Sequence, residues 1–199
     1  MNRPIILASA SKSRATLLRA AGVSIEIVPA HADEEAVKNS VKAEGGTAAQ
    51  CAETLAELKA VQISQRHHEA LVIGADQMLD CGGTWFDKPT DIAGARDHLV
   101  KMRGKSHVLP TAVAVALNGS RIWHHVAMPR LTMRDFSDDF IDSYLKAAGS
   151  AVLSSVGAYQ LEGPGAQLFS RIDGDFFTIL GLPLLELLAF LRENGAVAR

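Results

Sequence analysis

The chain has 199 residues, 48% of them hydrophobic and 21% charged, with a formal net charge of -2 at pH 7. That length supports a single domain over residues 1–199, or one domain with lobes around a cleft, and enough apolar side chains for a sizeable core. The near-neutral balance excludes a general electrostatic case for nucleic acid or an anionic membrane, so an anion would be held by locally placed Lys and Arg. The two cysteines, Cys51 and Cys81, lack metal-type spacing and cannot define a disulfide framework. The apolar run from Leu182 to Leu191 contains Pro183 and Glu186 and falls well short of the roughly 20 residues a bilayer span needs. No signal-type segment precedes the first strand, so the expected compartment is the cytoplasm.

In chain order, Pro4 to Ala8 is an apolar run without alternation, as in a strand covered on both faces. It enters a turn with three hydroxyls, Ser9, Ser11 and Ser13, and two cations, Lys12 and Arg14. A helix then runs to Ala21 and stops at Gly22. A strand fed through Ser-rich chemistry into a helix N-terminus predicts a phosphate site, because first-turn N–H groups are unpaired and the dipole end is positive. Ser24 to Val28 reads as a second strand, and the acidic stretch from His31 to Glu35 as loop. Thr47 is the expected cap of a helix to about Gln65, with Cys51, Leu55 and Leu58 inward.

Ala70 to Ala75 is the strongest buried-strand signal, and it ends at Asp76 and Gln77. Gly82-Gly83 predicts a short hairpin within residues 78–86. Thr90 or Asp91 caps a helix with Ile92, Ala95, Leu99 and Met102 inward, ended by Gly104. Val108 to Leu117 is apolar, Asn118-Gly119 is a hairpin turn, and the return strand runs from Arg121 to about Met133 with a bend at Met128-Pro129. Ser137 caps a helix with Phe140, Ile141, Tyr144, Leu145 and Ala148 inward. Residues 154–165 read as irregular, residues 167–172 as a strand, and Pro183 opens the last helix. This order argues for an α/β fold with a mixed, partly antiparallel sheet flanked by helices.

Asp76 ends an apolar strand, where ligands collect in open α/β sheets. Its carboxylate suits a divalent metal or an oriented water; the competing reading is a turn or cap aspartate. Glu34 and Glu35 read either as a solvated acidic loop or as completing an oxygen set for Mg²⁺ or Mn²⁺. Lys59, on a helix flank, and Lys88, in a turn, each read alone as surface lysines. Converging with Arg14, they would neutralise a triphosphate. The pairs His67-His68 and His124-His125 do not form two-ligand faces, since adjacent side chains point apart. His107 reads as structural. Walker and dinucleotide motifs are absent, and Ser13 lacks a triad pattern.

Several motifs occur together and in order over nearly the whole chain: Leu7-Ala-Ser-Ala-Ser11 with Arg14 and Leu17-Leu18, Asp33-Glu34, Leu58-Lys59-Ala60, and Ile73-Gly-Ala-Asp76. They continue with Lys88-Pro89, Gly104-Lys-Ser-His107 with Thr111, Gly157-Ala-Tyr159, and Gly174-Asp175 with Gly181-Leu-Pro183. In these the chain resembles the Maf proteins, nucleoside triphosphate pyrophosphatases of the ITPase-like fold. The resemblance implies metal-dependent attack of water at the α-phosphate, releasing pyrophosphate and a nucleoside monophosphate. Asp76 matches the family's proposed base and Glu34 an acidic residue near the metal. Ser9, Ser11, Arg14, Lys59 and Lys88 match phosphate-contacting positions.

Three positions bear on the base. Gln77 and Glu162 look like the branch acting on 7-methyl-GTP, where a carboxylate would accept from guanine N1–H and N2–H₂. The branch acting on dTTP and UTP has Arg at the position of Ser13, a small hydroxyl residue after the catalytic Asp, and Gln in the Gly-rich segment. Ser13 and Lys12 depart from both patterns, since the first branch tends to an aromatic residue and the usual neighbour is proline. The expected partner is thus a nucleoside triphosphate, and the resemblance adds a homodimer as a family expectation. The rival reading is a non-catalytic nucleotide-binding regulator of cell division.

Overall fold

Runs of apolar residues without alternation form the central strands, and short polar side chains start the helices. The structure is a computed structural model that describes residues 3–198; Met1, Asn2 and Arg199 lie outside them. The chain forms β1 (Ile5–Leu7), α1 (Lys12–Ala20), β2 (Glu26–Ile27), α2 (Glu34–Ala43), α3 (Ala48–Ser64) and β3 (Leu71–Gln77). It continues with β4 (Leu79–Cys81), β5 (Thr84–Phe86), α4 (Ile92–Met102), β6 (Ser106–Val108), β7 (Thr111–Leu117) and β8 (Ser120–Ala127). The last elements are β9 (Arg130–Met133), α5 (Asp138–Ala148), β10 (Phe169–Asp173), α6 (Phe176–Ile179) and α7 (Leu184–Glu193). Three 3₁₀ turns occupy the irregular stretch between α5 and β10.

The chain divides into two compact units. The first comprises residues 1–77, 111–127 and 176–199. Its sheet has the order β2-β1-β3-β7-β8, with β1 parallel to β2 and β3, and β7 antiparallel to β3 and β8. This is the expected mixed, partly antiparallel sheet. Period-two alternation sends Leu71, Ile73 and Ala75 into one core with Leu17, Leu18, Leu187 and Leu191, from α1 and α7. Ile6 and Val72 face the other way, against Ile63 of α3. The second unit comprises residues 78–110 and 128–175 and carries an all-antiparallel sheet of order β10-β9-β6-β4-β5. Leu79, Leu99, Met102, Leu131 and Leu168 are buried in it.

Most element expectations match these bounds; the differences have local causes. The acidic stretch read as loop begins α2. Asp33 caps that helix by accepting from Ala36 N–H at 3.0 Å, and Glu34 and Glu35 lie in its first turn, where the dipole favours carboxylates. None of its residues is fully buried, and its inward stripe is only Val37 and Val41, both half-buried. Thr47 caps α3 as expected, in a reciprocal box with Gln50. Leu58 is exposed and its neighbour Lys59 is buried, the reverse of the inward assignment. Ile92 is likewise exposed, at the first position of a helix capped by Asp91. The long hairpin does not continue as one bent strand: at Met128-Pro129 the chain leaves the first sheet as β8 and enters the second as β9. Leu109-Pro110 separates β6 and β7 in the same way.

Candidate functional site

The site grows from a missing side chain. A Cβ on Gly74 would lie 2.1 Å from the Ala56 carbonyl oxygen and 2.6 Å from Ala60 N. Only glycine lets α3 lie this close on β3. Asp76 is two residues on and therefore faces the same side, toward α3. There Lys59 donates from Nζ to Asp76 Oδ1 at 2.7 Å. Lys59 is 8% exposed and Asp76 7%, so each charge is buried with a partner of opposite sign. The same ammonium lies 2.6 Å from Oε1 of Glu34, whose side chain is 48% exposed. One cation thus sits between two carboxylates, one inside and one at the solvent edge.

The turn after β1 supplies the second half. Ser11 caps α1 by accepting from Arg14 N–H, and Ser9 Oγ accepts from Ser11 N–H at 3.3 Å. Arg14 folds back under this turn. It donates from Nε to the Gly181 carbonyl at 2.8 Å, and from Nη1 to the Ala75 carbonyl at 2.8 Å and to Ser9 Oγ at 3.1 Å. Burial pulls the guanidinium below its ordinary range, with the carboxylates of Asp76 and Glu34 pulling the other way. Arg14 therefore fastens the serine turn to the end of β3, beside Asp76. Ser13 is half-buried in the first turn of α1, and Lys12 is exposed.

Gln77 faces away from α3. Its amide nitrogen donates to Thr111 Oγ1 at 2.8 Å and to the carbonyls of Thr178 and Ile179 at 3.1 and 3.2 Å. It holds α6 and the strand end in register. Ser9, Ser11, Arg14, Glu34, Lys59, Asp76 and Gln77 all belong to the first unit. Sequence reasoning missed Gly74 as the residue that makes the approach possible, and Thr111 and Thr178 as the partners of Gln77. A glycine inside the most apolar strand of the chain was the available signal.

Residues 4–194 match the family described as Maf-like protein. The chain belongs to the Maf-like protein family. It is 58% identical over 190 residues to a protein of Paramagnetospirillum magneticum named nucleoside triphosphate pyrophosphatase, covering 96% of this chain and 98% of that one. A Granulibacter bethesdensis protein of the same name is 54% identical over 193 residues, 97% and 98% of the two chains. A Brucella suis protein named 7-methyl-GTP pyrophosphatase is 47% identical over 197 residues, 99% of each chain. Among solved structures, a nucleoside-triphosphatase / dITP/XTP pyrophosphatase of Mycobacterium abscessus aligns over 98% of this chain and 96% of that one. Its TM-score of 0.42 at 15% identity is too distant a likeness to carry an argument.

The other expected site residues of this Maf-like chain lie in the second unit. Lys88 is exposed between β5 and α4, and Glu162 is exposed in the turn that Gly163 N–H closes on the Gln160 carbonyl. His107 is not exposed: its Nε2 pairs with Tyr159 Oη at 2.7 Å within that unit. His124 is an edge residue whose Nε2 lies 3.3 Å from Glu53. Among the described residues, no group of three or more His, Cys, Asp or Glu side chains is gathered for a metal, and no helix is long and apolar enough to cross a membrane.

Proposed function

We propose that the protein hydrolyses a nucleoside triphosphate at the α-phosphate, giving a nucleoside monophosphate and pyrophosphate, with 7-methyl-GTP as lead substrate. The coarse activity, a hydrolase of the nucleoside triphosphate pyrophosphatase class, rests on family membership and on relatives of that name at 54% and 58% identity. The observation that supports the mechanism is the meeting of Asp76 and Glu34 on one ammonium beside a serine turn fastened by Arg14.

In this reading Ser9, Ser11, Ser13 and the first turn of α1 hold phosphate oxygens, and the charges of Arg14, Lys59 and Lys88 offset those of the polyphosphate. Asp76 orients a water and takes its proton as the water oxygen bonds to the α-phosphorus. The bond from that phosphorus to the bridging oxygen breaks, and the electron pair leaves with pyrophosphate. No covalent enzyme intermediate is required. The resemblance implies Mg²⁺ or Mn²⁺, and the donor set fits such an ion. Glu34 and Asp76 aim hard carboxylate oxygens at one cationic point, and Mg²⁺ typically combines one or two carboxylates with substrate phosphates. Bound there, the ion would polarise phosphoryl oxygens and offset developing charge.

Glu162 is the proposed reader of the base edge, and Gln77 a neighbour of the substrate whose amide donors already serve the protein. The support for 7-methyl-GTP is the Gln77 and Glu162 pattern together with the relative of that name at 47% identity. The reading keeps the cytoplasm as the default compartment and a homodimer as an expectation of the resemblance.

The deciding experiment is pyrophosphate release over a nucleotide panel with Mg²⁺, Mn²⁺ or chelator, including 7-methyl-GTP, dTTP and UTP. Turnover of none of them, with Asp76→Asn indistinguishable from wild type, rejects the enzyme and favours a binding regulator. Preference for dTTP or UTP rejects the lead substrate alone. Glu162→Ala should lower kcat/KM for 7-methyl-GTP by about 10²-fold, close to 3 kcal/mol, through lost hydrogen bonds to the base. A change below about threefold removes Glu162 from the base-reading role.

A further inference from the structure

We propose that Lys59 is the resident occupant of the cation position between Glu34 and Asp76, and that a divalent ion enters only as the Lys59 ammonium moves off the carboxylates onto a substrate phosphate. The inference rests on the metal-dependent reading above and deepens it.

The geometry is that of a filled slot. Lys59 Nζ lies 2.6 Å from Glu34 Oε1 and 2.7 Å from Asp76 Oδ1. These are the two oxygens with which the chain would hold a metal, so the ammonium and the ion compete for the same ligands. They also repel one another, and at close range in a poorly hydrated place that repulsion is strong. Both cannot stay in the slot.

The surroundings give the ammonium a reason to be there and a way to leave. Asp76 is buried by the approach of α3 to β3 at Gly74, and an unpaired carboxylate in that position would be costly. Lys59 supplies the compensating charge from the helix that buries it. Its stem is long and flexible, so its head can move several ångströms without moving α3. Glu34 is different: its side chain is half exposed, on a helix with no fully buried residue. A triphosphate brings several negative oxygens to the serine turn. These offer the ammonium new partners and leave both carboxylates to the metal. Nucleotide and metal therefore bind with positive coupling, because each removes the cost of the other. Before substrate arrives, Asp76 is held ion-paired and unavailable as a base.

The test is Mn²⁺ binding to the full chain without nucleotide, read by electron paramagnetic resonance of the free ion. Lys59→Met and Lys59→Gln should each bind Mn²⁺ about tenfold or more tightly than wild type, since no ammonium has to be displaced. Lys59→Arg keeps a cation and should stay near wild type. Adding Asp76→Asn to Lys59→Met should abolish the gain. A 7-methylguanosine triphosphate with a methylene bridge between its α and β phosphorus atoms should raise wild-type Mn²⁺ affinity toward that of the Met variant. The inference is overturned if Met and Gln variants with wild-type circular dichroism bind Mn²⁺ no more tightly than wild type. If wild type nevertheless binds Mn²⁺ firmly with the analogue, only the resident-ammonium inference falls. If no form binds Mn²⁺ with or without nucleotide, the metal reading falls with it. Should one substitution unfold the chain, the other carries the comparison, and the double variant separates loss of charge from loss of packing.

Discussion

Two buried polar arrangements, one in each unit, solve the same problem in opposite ways. In the first unit Asp76 and Lys59 are both charged and both nearly sealed from solvent, and each balances the other. In the second, His107 and Tyr159 are equally buried but stay neutral. Burial lowers the His107 pKa to about 4, and burial with the nearby Tyr144 adding to it raises that of Tyr159 well above its ordinary value. Their 2.7 Å hydrogen bond satisfies Nε2 and the phenol, and His107 Nδ1 has no hydrogen-bond partner among the described residues. The histidine ring packs against Tyr159 and Phe169, and Tyr159 packs edge-on to Phe169. In the proposed mechanism the charged arrangement exchanges its partners for a ligand, since it already presents complete charges. The neutral one resists protonation and fixes a turn: it anchors Tyr159 immediately after Gly157 and Ala158, both at positive φ. The charged pair belongs to the proposed chemistry and the neutral one to the scaffold.

This contrast can be broken by substitution. The largest effect belongs to Asp76→Asn, which keeps the shape and removes the proposed base. Pyrophosphate release should fall by about 10²–10⁴-fold, measured at saturating nucleotide with the fold checked by circular dichroism. Retained activity would make Asp76 a structural partner of Lys59 only. Next is Gly74→Val, which drives a branched side chain into the Ala56 carbonyl and Ala60. We expect a loss of about 3 kcal/mol or more, read by urea unfolding. A wild-type midpoint would mean that α3 does not need its close seat on β3.

The third test uses pH. His107 has a folded pKa of about 4, below its ordinary value of 6.5, so between those values the unfolded chain binds more protons than the folded one. Its contribution is fully present above pH 6.5 and declines as pH falls toward 4, by about 3 kcal/mol in all. His107→Phe should flatten that part of the stability–pH profile; an unchanged slope between pH 6.5 and 4 would assign the acid sensitivity to other groups. The smallest effect is expected from Tyr159→Phe. It leaves His107 Nε2 without its phenol partner and should cost about 1–3 kcal/mol in urea unfolding.

Much of the site was legible in the linear chain because its signals are local. A strand running into a Ser-rich helix start predicts an anion site, and an aspartate at the end of the most apolar run predicts a ligand position. Both depend only on neighbours in sequence. Lys59 was not legible as buried because it is charged: helical spacing sets it in line with Cys51, Leu55 and Ile63, all buried, but a lysine there reads as a surface residue. Its burial depends on where α3 lies, which is decided by one glycine in another element. The helix carrying Glu34 was missed because its apolar face is only Val37 and Val41, both half-buried, too short a stripe for hydrophobic period, the signal by which helices are read.

By itself the sequence determined most of the element types, most of the caps and the buried strands, which follow from side-chain shape, capping chemistry and periodicity over a few residues. It also carried the family, through the resemblance of motifs that occur in order along the chain. Only the tertiary structure decided that Glu34, Lys59 and Asp76 share one point, that Gln77 serves Thr111 and the α6 carbonyls, and that the long return strand divides between two sheets. Those outcomes turn on contacts between segments far apart in the chain. There the free energy lies in close packing and in compensating buried charge, quantities that no local pattern encodes.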